Sequence, residues 1–195
     1  MTAGPDDVLK FWLDECTPEQ WYTQDDALDA EITQRFAATW EAAREGQHAL
    51  WLTYPSGALA YVILADQFPR NMFRGDPRAF ELDGAALAAA KSAVDKGWDM
   101  RIDEPARQFF YLPMMHSENL CDQSRGVRLI CERMPQHGAK NLLHARAHRE
   151  VIRMFGRFPY RNDALGRTST GAETAYLASG GYGSTVRALQ AEVAA

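Results

Sequence analysis

Leu28, Ile32, Phe36 and Trp40 recur every four residues between Asp25-Asp26 and Gly46, and this spacing fits one face of a long α-helix. In a strand, Ala30, Gln34 and Ala38 would share that face, so the pattern selects helix, with acids placed favourably in its first turn. The same period runs through most of the chain. Pro5-Asp6-Asp7 opens an earlier helix carrying Val8, Phe11 and Trp12, and Thr17-Pro18-Glu19-Gln20 predicts a short bridging turn of helix. A third helix starts at Ser56 and ends at Pro69, whose ring disfavours helical geometry at Phe68. A fourth, rich in alanine, begins at Asp76-Pro77 and ends before Gly97.

Asp103-Glu104-Pro105 starts a short fifth helix that Pro113 stops, and Ser117 caps a sixth reaching Met134. Asn141 caps a seventh that ends at Gly156, and Thr170 with Glu173 forms a capping box for an eighth. Gly180-Gly181-Tyr182-Gly183 then loosens the chain into a tail from about 180. No run of alternating strand residues competes. The expected fold is all-α, a single domain over 1–195 built of stacked helical hairpins with antiparallel neighbours. Eight alternating helices would bring the carboxyl ends of the third and seventh to one end of the stack.

At 195 residues and 46% hydrophobic content the chain can close a real core. No stretch approaches the roughly 18 consecutive apolar residues of a membrane span, and Met1 to Asp7 is acidic where a signal peptide is basic and then apolar, so the expected address is cytoplasmic. Cys16, Cys121 and Cys131 sit in helical patterns without paired spacing and read as reduced core thiols. The charge is lopsided: the segment 1–45 is acidic, and the segment 124–167 holds ten bases against Glu132, Glu150 and Asp163. Such a basic segment meets an anionic ligand, a protein partner or the acidic segment of its own chain. Nucleic acid is not expected, because no series of stacking aromatics is interleaved with the arginines.

Two phrases ninety positions apart carry the polar signal. Phe68-Pro69-Arg70-Asn71 and Phe158-Pro159-Tyr160-Arg161-Asn162 each pair an apolar anchor and a proline with a cation and an amide. Arg70, Arg157, Arg161 and Arg167 would form an anion-binding rim, since the guanidinium fork grips carboxylate or phosphate at two points. Asp66, Gln67 and Glu118 are either part of that site or internal partners of those arginines. The bland reading of Arg70, Arg161, Asn71 and Asn162 is helix-end and turn chemistry.

His116 and Glu118 flank Ser117, and a histidine beside a carboxylate is the usual material of acid-base catalysis near neutral pH. No Gly-x-Ser-x-Gly elbow exists for a nucleophilic serine. His144 and His148 lie four apart on one helix face, but Ala145 stands where the metalloprotease pattern needs Glu, so His148 reads as a hydrogen-bonding side chain. No metal and no cofactor is expected. The five tryptophans, Trp12, Trp21, Trp40, Trp51 and Trp98, read as inter-helix packing.

Val8 to Trp12, Leu64 to Asn71, Tyr111-Leu112-Pro113 with His116-Ser117-Glu118, and Phe155 to Asn162 with Leu165-Gly166-Arg167 resemble the bacterial domain-of-unknown-function 924 family. The resemblance covers the chain from about Asp6 to Tyr182. It implies a tetratricopeptide-like α-α superhelix and no particular activity. Family members often carry His where this chain has Tyr160, so the resemblance favours recognition by Asp66, Arg70, Asn71, His116, Glu118, Arg157, Arg161 and Asn162 over chemistry at residue 160. Three functions follow as expectations. The first is a binding protein with a polar Arg/Asn/His/Glu pocket for a small anion or peptide carboxylate. The second is an enzyme using His116 with Glu118 or Asp66 on an anionic substrate. The third is a protein-interaction scaffold with no small-molecule site.

Overall fold

Pro5 starts the first helix, α1 (Pro5–Leu9), where a missing backbone donor costs nothing, and the helix runs on in the wider π register over Lys10–Glu15. The computed structural model describes residues 2–194, with side chains through residue 192, and every regular element among them is helical. Two compact units divide the chain, Met1–Pro113 and Met114–Ala195. No helix among the described residues is long and apolar enough to cross a membrane.

In the first unit the expected short helix at Thr17 is a hydrogen-bonded turn. The Gln20 side chain accepts from the Thr17 N–H at 2.8 Å and the Gln20 N–H returns to the Thr17 carbonyl at 3.0 Å, so the box closes on itself. Asp25 then caps α2 (Asp26–Arg44) by accepting from the amides of Ala27 and Leu28, and the four-residue stripe Leu28, Ile32, Phe36 and Trp40 is buried as its spacing predicts. Phe36 lies 4.7 Å from Phe68 and Trp12 lies 5.3 Å from the same ring, and Phe11 against Phe68 and Phe109 against Trp12 complete the aromatic core.

Pro69 does not end the third helix. After α3 (Pro55–Val62), the chain widens into a π turn over Ile63–Gln67 and resumes as α4 (Phe68–Met72). The Phe68 N–H reaches five residues back to Ile63, so the hydrogen-bond register has already slipped where Pro69, lacking a donor, enters. The stop comes later, at Phe73 and the left-handed Gly75. Pro77 opens a separate 3-10 turn, Pro77–Phe80, before α5 (Asp83–Asp95), where one continuous helix was expected. The predicted helix after Pro105 is a 3-10 turn over Ala106–Phe110, and Pro113 lies in the first turn of α6 (Leu112–His116) instead of stopping its predecessor. An alternation of eight helices therefore does not describe the chain.

In the second unit Asn119, not Ser117, caps α7 (Leu120–Arg133); its Oδ1 accepts from the amides of Cys121 and Asp122, while Ser117 Oγ donates to Asp122 at 3.0 Å. α8 (Ala139–Phe155) begins two residues ahead of Asn141, which is buried inside it, and ends at Gly156 with φ 70° as predicted. α9 (Gly171–Ala178) carries the expected Thr170–Glu173 capping box. The glycine-rich stretch expected to loosen the chain instead starts α10 (Gly181–Ala194), with Gly180 and Gly181 at positive φ turning the chain out of α9. α10 packs on α8, and Val151, Ile152 and Phe158 form the core there with Phe155, Tyr176 and Tyr182 against them. Of the three cysteines only Cys16 is buried, its thiol pushed up to about 11 by burial and by Glu31 and Glu15; Cys121 and Cys131 are exposed, contrary to their reading as core thiols.

A Cβ at Gly156 meets no neighbour, so Gly156→Ala isolates the cost of the left-handed backbone. Urea unfolding of that variant is expected to lose about 1 kcal/mol relative to wild type, with the slope unchanged.

Candidate functional site

The first Phe-Pro phrase brings Asp66, Gln67, Arg70 and Asn71 together, but into an internal network. Asp66 is fully buried and Gln67 nearly so, and the Gln67 amide donates to the Asp66 carboxylate. The Arg70 guanidinium donates to the Asp66 backbone carbonyl, lies 3.2 Å from its carboxylate and pairs with Asp83 on α5 at 2.9 Å. Asn71 donates to Asp29 on α2 at 2.8 Å, and Arg74 grips the same carboxylate. Three aspartates thus face two arginines. These side chains tie the π-turn segment to the helices on either side of it, which is the structural alternative weighed for this turn.

The second phrase is built differently. Gly156 ends α8, and Pro159–Arg161 forms a single 3-10 turn. Arg157 reaches to α9 and holds Glu173 at two points, 2.6 and 2.8 Å, with a further bond of 3.0 Å to the Thr168 carbonyl. Glu173 is also the capping-box acceptor of the Thr170 N–H, and the Arg157 hydrogen bond first, then that amide, hold its carboxyl down to about 2. Arg167 forks onto Glu118 at 2.8 and 3.0 Å and donates to the Phe158 carbonyl at 3.1 Å. Glu118 also accepts from the Phe158 N–H at 2.8 Å. Burial works to raise the Glu118 carboxyl, but the Arg167 and Phe158 hydrogen bonds and the charges of Arg167 and Arg161 outweigh it and keep it below the usual range. Asn162 is fully buried and donates to Ser169 Oγ at 3.0 Å. Arg161 is buried with its guanidinium 4.5 Å from the centre of the Phe158 ring.

Around the same ring gather the histidines. His148 on α8 stands edge-on to Phe158 at 5.4 Å and to His116 of α6 at 6.1 Å, and its ring is 4.7 Å from Tyr182 of α10. His148 Nδ1 donates to the His144 carbonyl at 2.8 Å, which fixes the tautomer and leaves Nε2 as the acceptor. The Tyr182 hydroxyl is 2.7 Å from His144 Nδ1 and 3.1 Å from His148 Nδ1, so it donates to His144 and accepts from His148. Burial, then the His116 charge, push the His148 imidazole down from its ordinary 6.5 to about 3, and burial with Lys140 lowers His144. Burial raises the Tyr182 phenol. Tyr160 stands at the edge of this group, 42% exposed, with its ring 5.3 Å from Phe158.

His116, Glu118, His148, Arg157, Arg161, Asn162 and Arg167 therefore gather around Phe158 in the second unit, while Asp66, Gln67, Arg70 and Asn71 form their own network in the first. No three metal-ligating side chains cluster among the described residues. Tyr182 and His144 join the site without having been assigned to it from sequence. Tyr182, Thr185 and Leu189 follow a helical spacing that could have revealed α10, had the glycines around Tyr182 not dominated the reading. Chemically the cluster offers hydrogen bonds. Its carboxylates are clamped by arginines, and an imidazole titrating near 3 is a poor proton carrier at neutral pH.

A family model described as a bacterial protein of unknown function (DUF924) matches residues 8–181, and the chain belongs to that family. A solved structure, of a protein of unknown function from Agrobacterium tumefaciens, is similar at 36% identity and a TM-score of 0.82, covering 89% of this chain and 96% of that one. No curated protein matches the chain.

Two outcomes follow for stability. Arg167→Ala strips a half-buried two-point pair and is expected to cost about 2 kcal/mol in urea unfolding, whereas Arg153→Ala, on an exposed pair, stays within about 0.5 kcal/mol. As pH falls from 6.5 to 4.5, unfolded chains take up a proton that folded His148 refuses, so stability falls. The wild-type slope is expected to exceed that of His148→Asn by up to about 1.4 kcal/mol per pH unit, read from urea midpoints in that window.

Proposed function

We propose that this member of the family is a binding protein, and that the second Phe-Pro turn receives a small acceptor-rich anion, a carboxylate or phosphate group, on Arg161 and His116, with His148 beside them and Tyr160 at the rim. One observation carries the reading. Glu118 and Glu173, the carboxylates packed against this turn, are already held in two-point arginine pairs, so the turn presents the Arg161 guanidinium and the His116 ring without an open carboxylate from either glutamate. A donor-rich surface complements a ligand that accepts. Recognition is favoured over acid-base catalysis for the same reason, because Glu118 and Asp66, the carboxylates named as partners for His116, are engaged by Arg167 and Arg70. Arg70 and Asn71, closed in their own network, are not part of the proposed contact set, and Arg157 and Arg167 shape it through Glu173 and Glu118.

The tetratricopeptide-like stacking implied by the family resemblance belongs to the same proposal. It is supported in the second unit by the hairpin of α7 and α8 and by the seating of α10 on α8. A cytoplasmic location rests on the sequence alone.

The test is histidine-detected NMR of the whole chain titrated with inorganic phosphate and with N-acetylglycine. At least one of the two is expected to shift the His116 and His148 ring signals saturably. Arg161→Gln is expected to weaken that ligand about tenfold or more, and Tyr160→Phe only slightly. If neither ligand moves those signals, or if Arg161→Gln folds and binds unchanged, the turn is not an anion site.

A further inference from the structure

We infer that the groove between α8 and α10 is a docking site for an acidic amphipathic helix of another protein. This site is separate from the histidine cluster and does not depend on it. α8 presents Leu143, Arg146, Glu150 and Arg153 at spacings of three and four, which puts them along one edge. α10 presents Thr185, Leu189 and Glu192 opposite, again at helical spacing. Two depressions of about 460 and 210 Å³ lie between them and adjoin at Glu150, Leu189 and Glu192, which line both.

Its chemistry is two-sided. Leu143, Leu189 and Tyr176 are only partly buried, and Met154 is 46% exposed, so an apolar strip is open to a partner. The Glu150 carboxylate is held by Arg153 at 2.6 and 2.8 Å, and that hydrogen bonding with the charges of Arg153 and Arg149 keeps it below the usual range. Arg146 and Arg149, by contrast, make no hydrogen bond or ion pair among the described residues, and Glu150 and Glu192 are the two carboxylates that line the groove beside them. A helix with leucines on one face and carboxylates flanking them would seat its apolar side on Leu143, Leu189 and Met154. Its acids would then reach Arg146 and Arg149, in the helix-in-groove mode. The surplus of bases over residues 124–167 attracts the same partner at longer range.

The experiment is fluorescence anisotropy of the whole chain with a fluorescein-labelled peptide of about eighteen Leu, Ala and Glu residues patterned for one apolar face. A shuffled peptide of identical composition is the control. The patterned peptide is expected to bind about tenfold more tightly than the shuffled one at physiological salt. R146E/R149E is expected to abolish the difference, with R146A/R149A giving an intermediate loss and keeping the test open should the reversal fail to fold. Glu192→Gln is expected to tighten binding about twofold, because it removes the competing carboxylate. Equal binding of the two peptides would reduce the groove to a non-specific charged surface. Full binding by a folded R146A/R149A variant, or weaker binding by Glu192→Gln, would assign the arginines to holding α10 and overturn the docking site.

Discussion

The carboxylate of Glu118 sets the geometry of the second unit. It is placed just ahead of α7, yet its two oxygens receive the Arg167 fork and the Phe158 amide from a turn some forty residues later in the chain. Phe158 is thereby pinned through its N–H, and its carbonyl is pinned by the same arginine. The ring that results is the surface on which His148, Tyr160 and the Arg161 guanidinium are arranged. A second clamp, Arg157 on Glu173, fixes the start of α9 and so the direction from which α10 returns to α8. Half-buried two-point pairs of this kind are costly to break singly, because the partner left behind is an uncompensated charge.

The helical content was readable because burial and period agree. Leu28, Ile32, Phe36 and Trp40 are spaced for one face and all lie inside, Gly156 stops α8 where only a left-handed residue fits, and the Thr170 box starts α9. Residue type alone did not decide which of two neighbouring caps is used. Ser117 and Asn119 are both competent: Asn119 accepts the first amides of α7, while Ser117 accepts the Asn119 amide and donates to Asp122. The glycines flanking Tyr182 read as a loose segment, whereas packing of α10 on α8 overrides their low helix propensity.

The candidate site was half readable for a related reason. The polar residues named from the motifs do come together within each unit, but sequence carries no record of which arginine meets which carboxylate. Arg70 and Arg167 looked equivalent as ligand-binding cations, and both are engaged with acids far from them in sequence, Asp83 and Glu118. Tyr182 escaped notice, and His144 was read only against a metal pattern, because the hydrogen bond that joins them spans 38 residues of sequence. The two Phe-Pro phrases, alike in wording, fold as a helix interior in one unit and as a 3-10 turn in the other.

That difference traces to the π turn ahead of Pro69. A π turn is an α-helix with one residue too many, and that surplus residue sets the phase of everything after it. Each residue of an α-helix advances the azimuth by about 100°, so a chain shortened by one between Ile63 and Gln67 would regain uniform pitch and rotate α4 by roughly that angle. Arg70 would turn away from Asp83, and Asn71 from Asp29. The segment thus works as a vernier: its length, as much as its composition, aims the side chains of the first phrase at their partners.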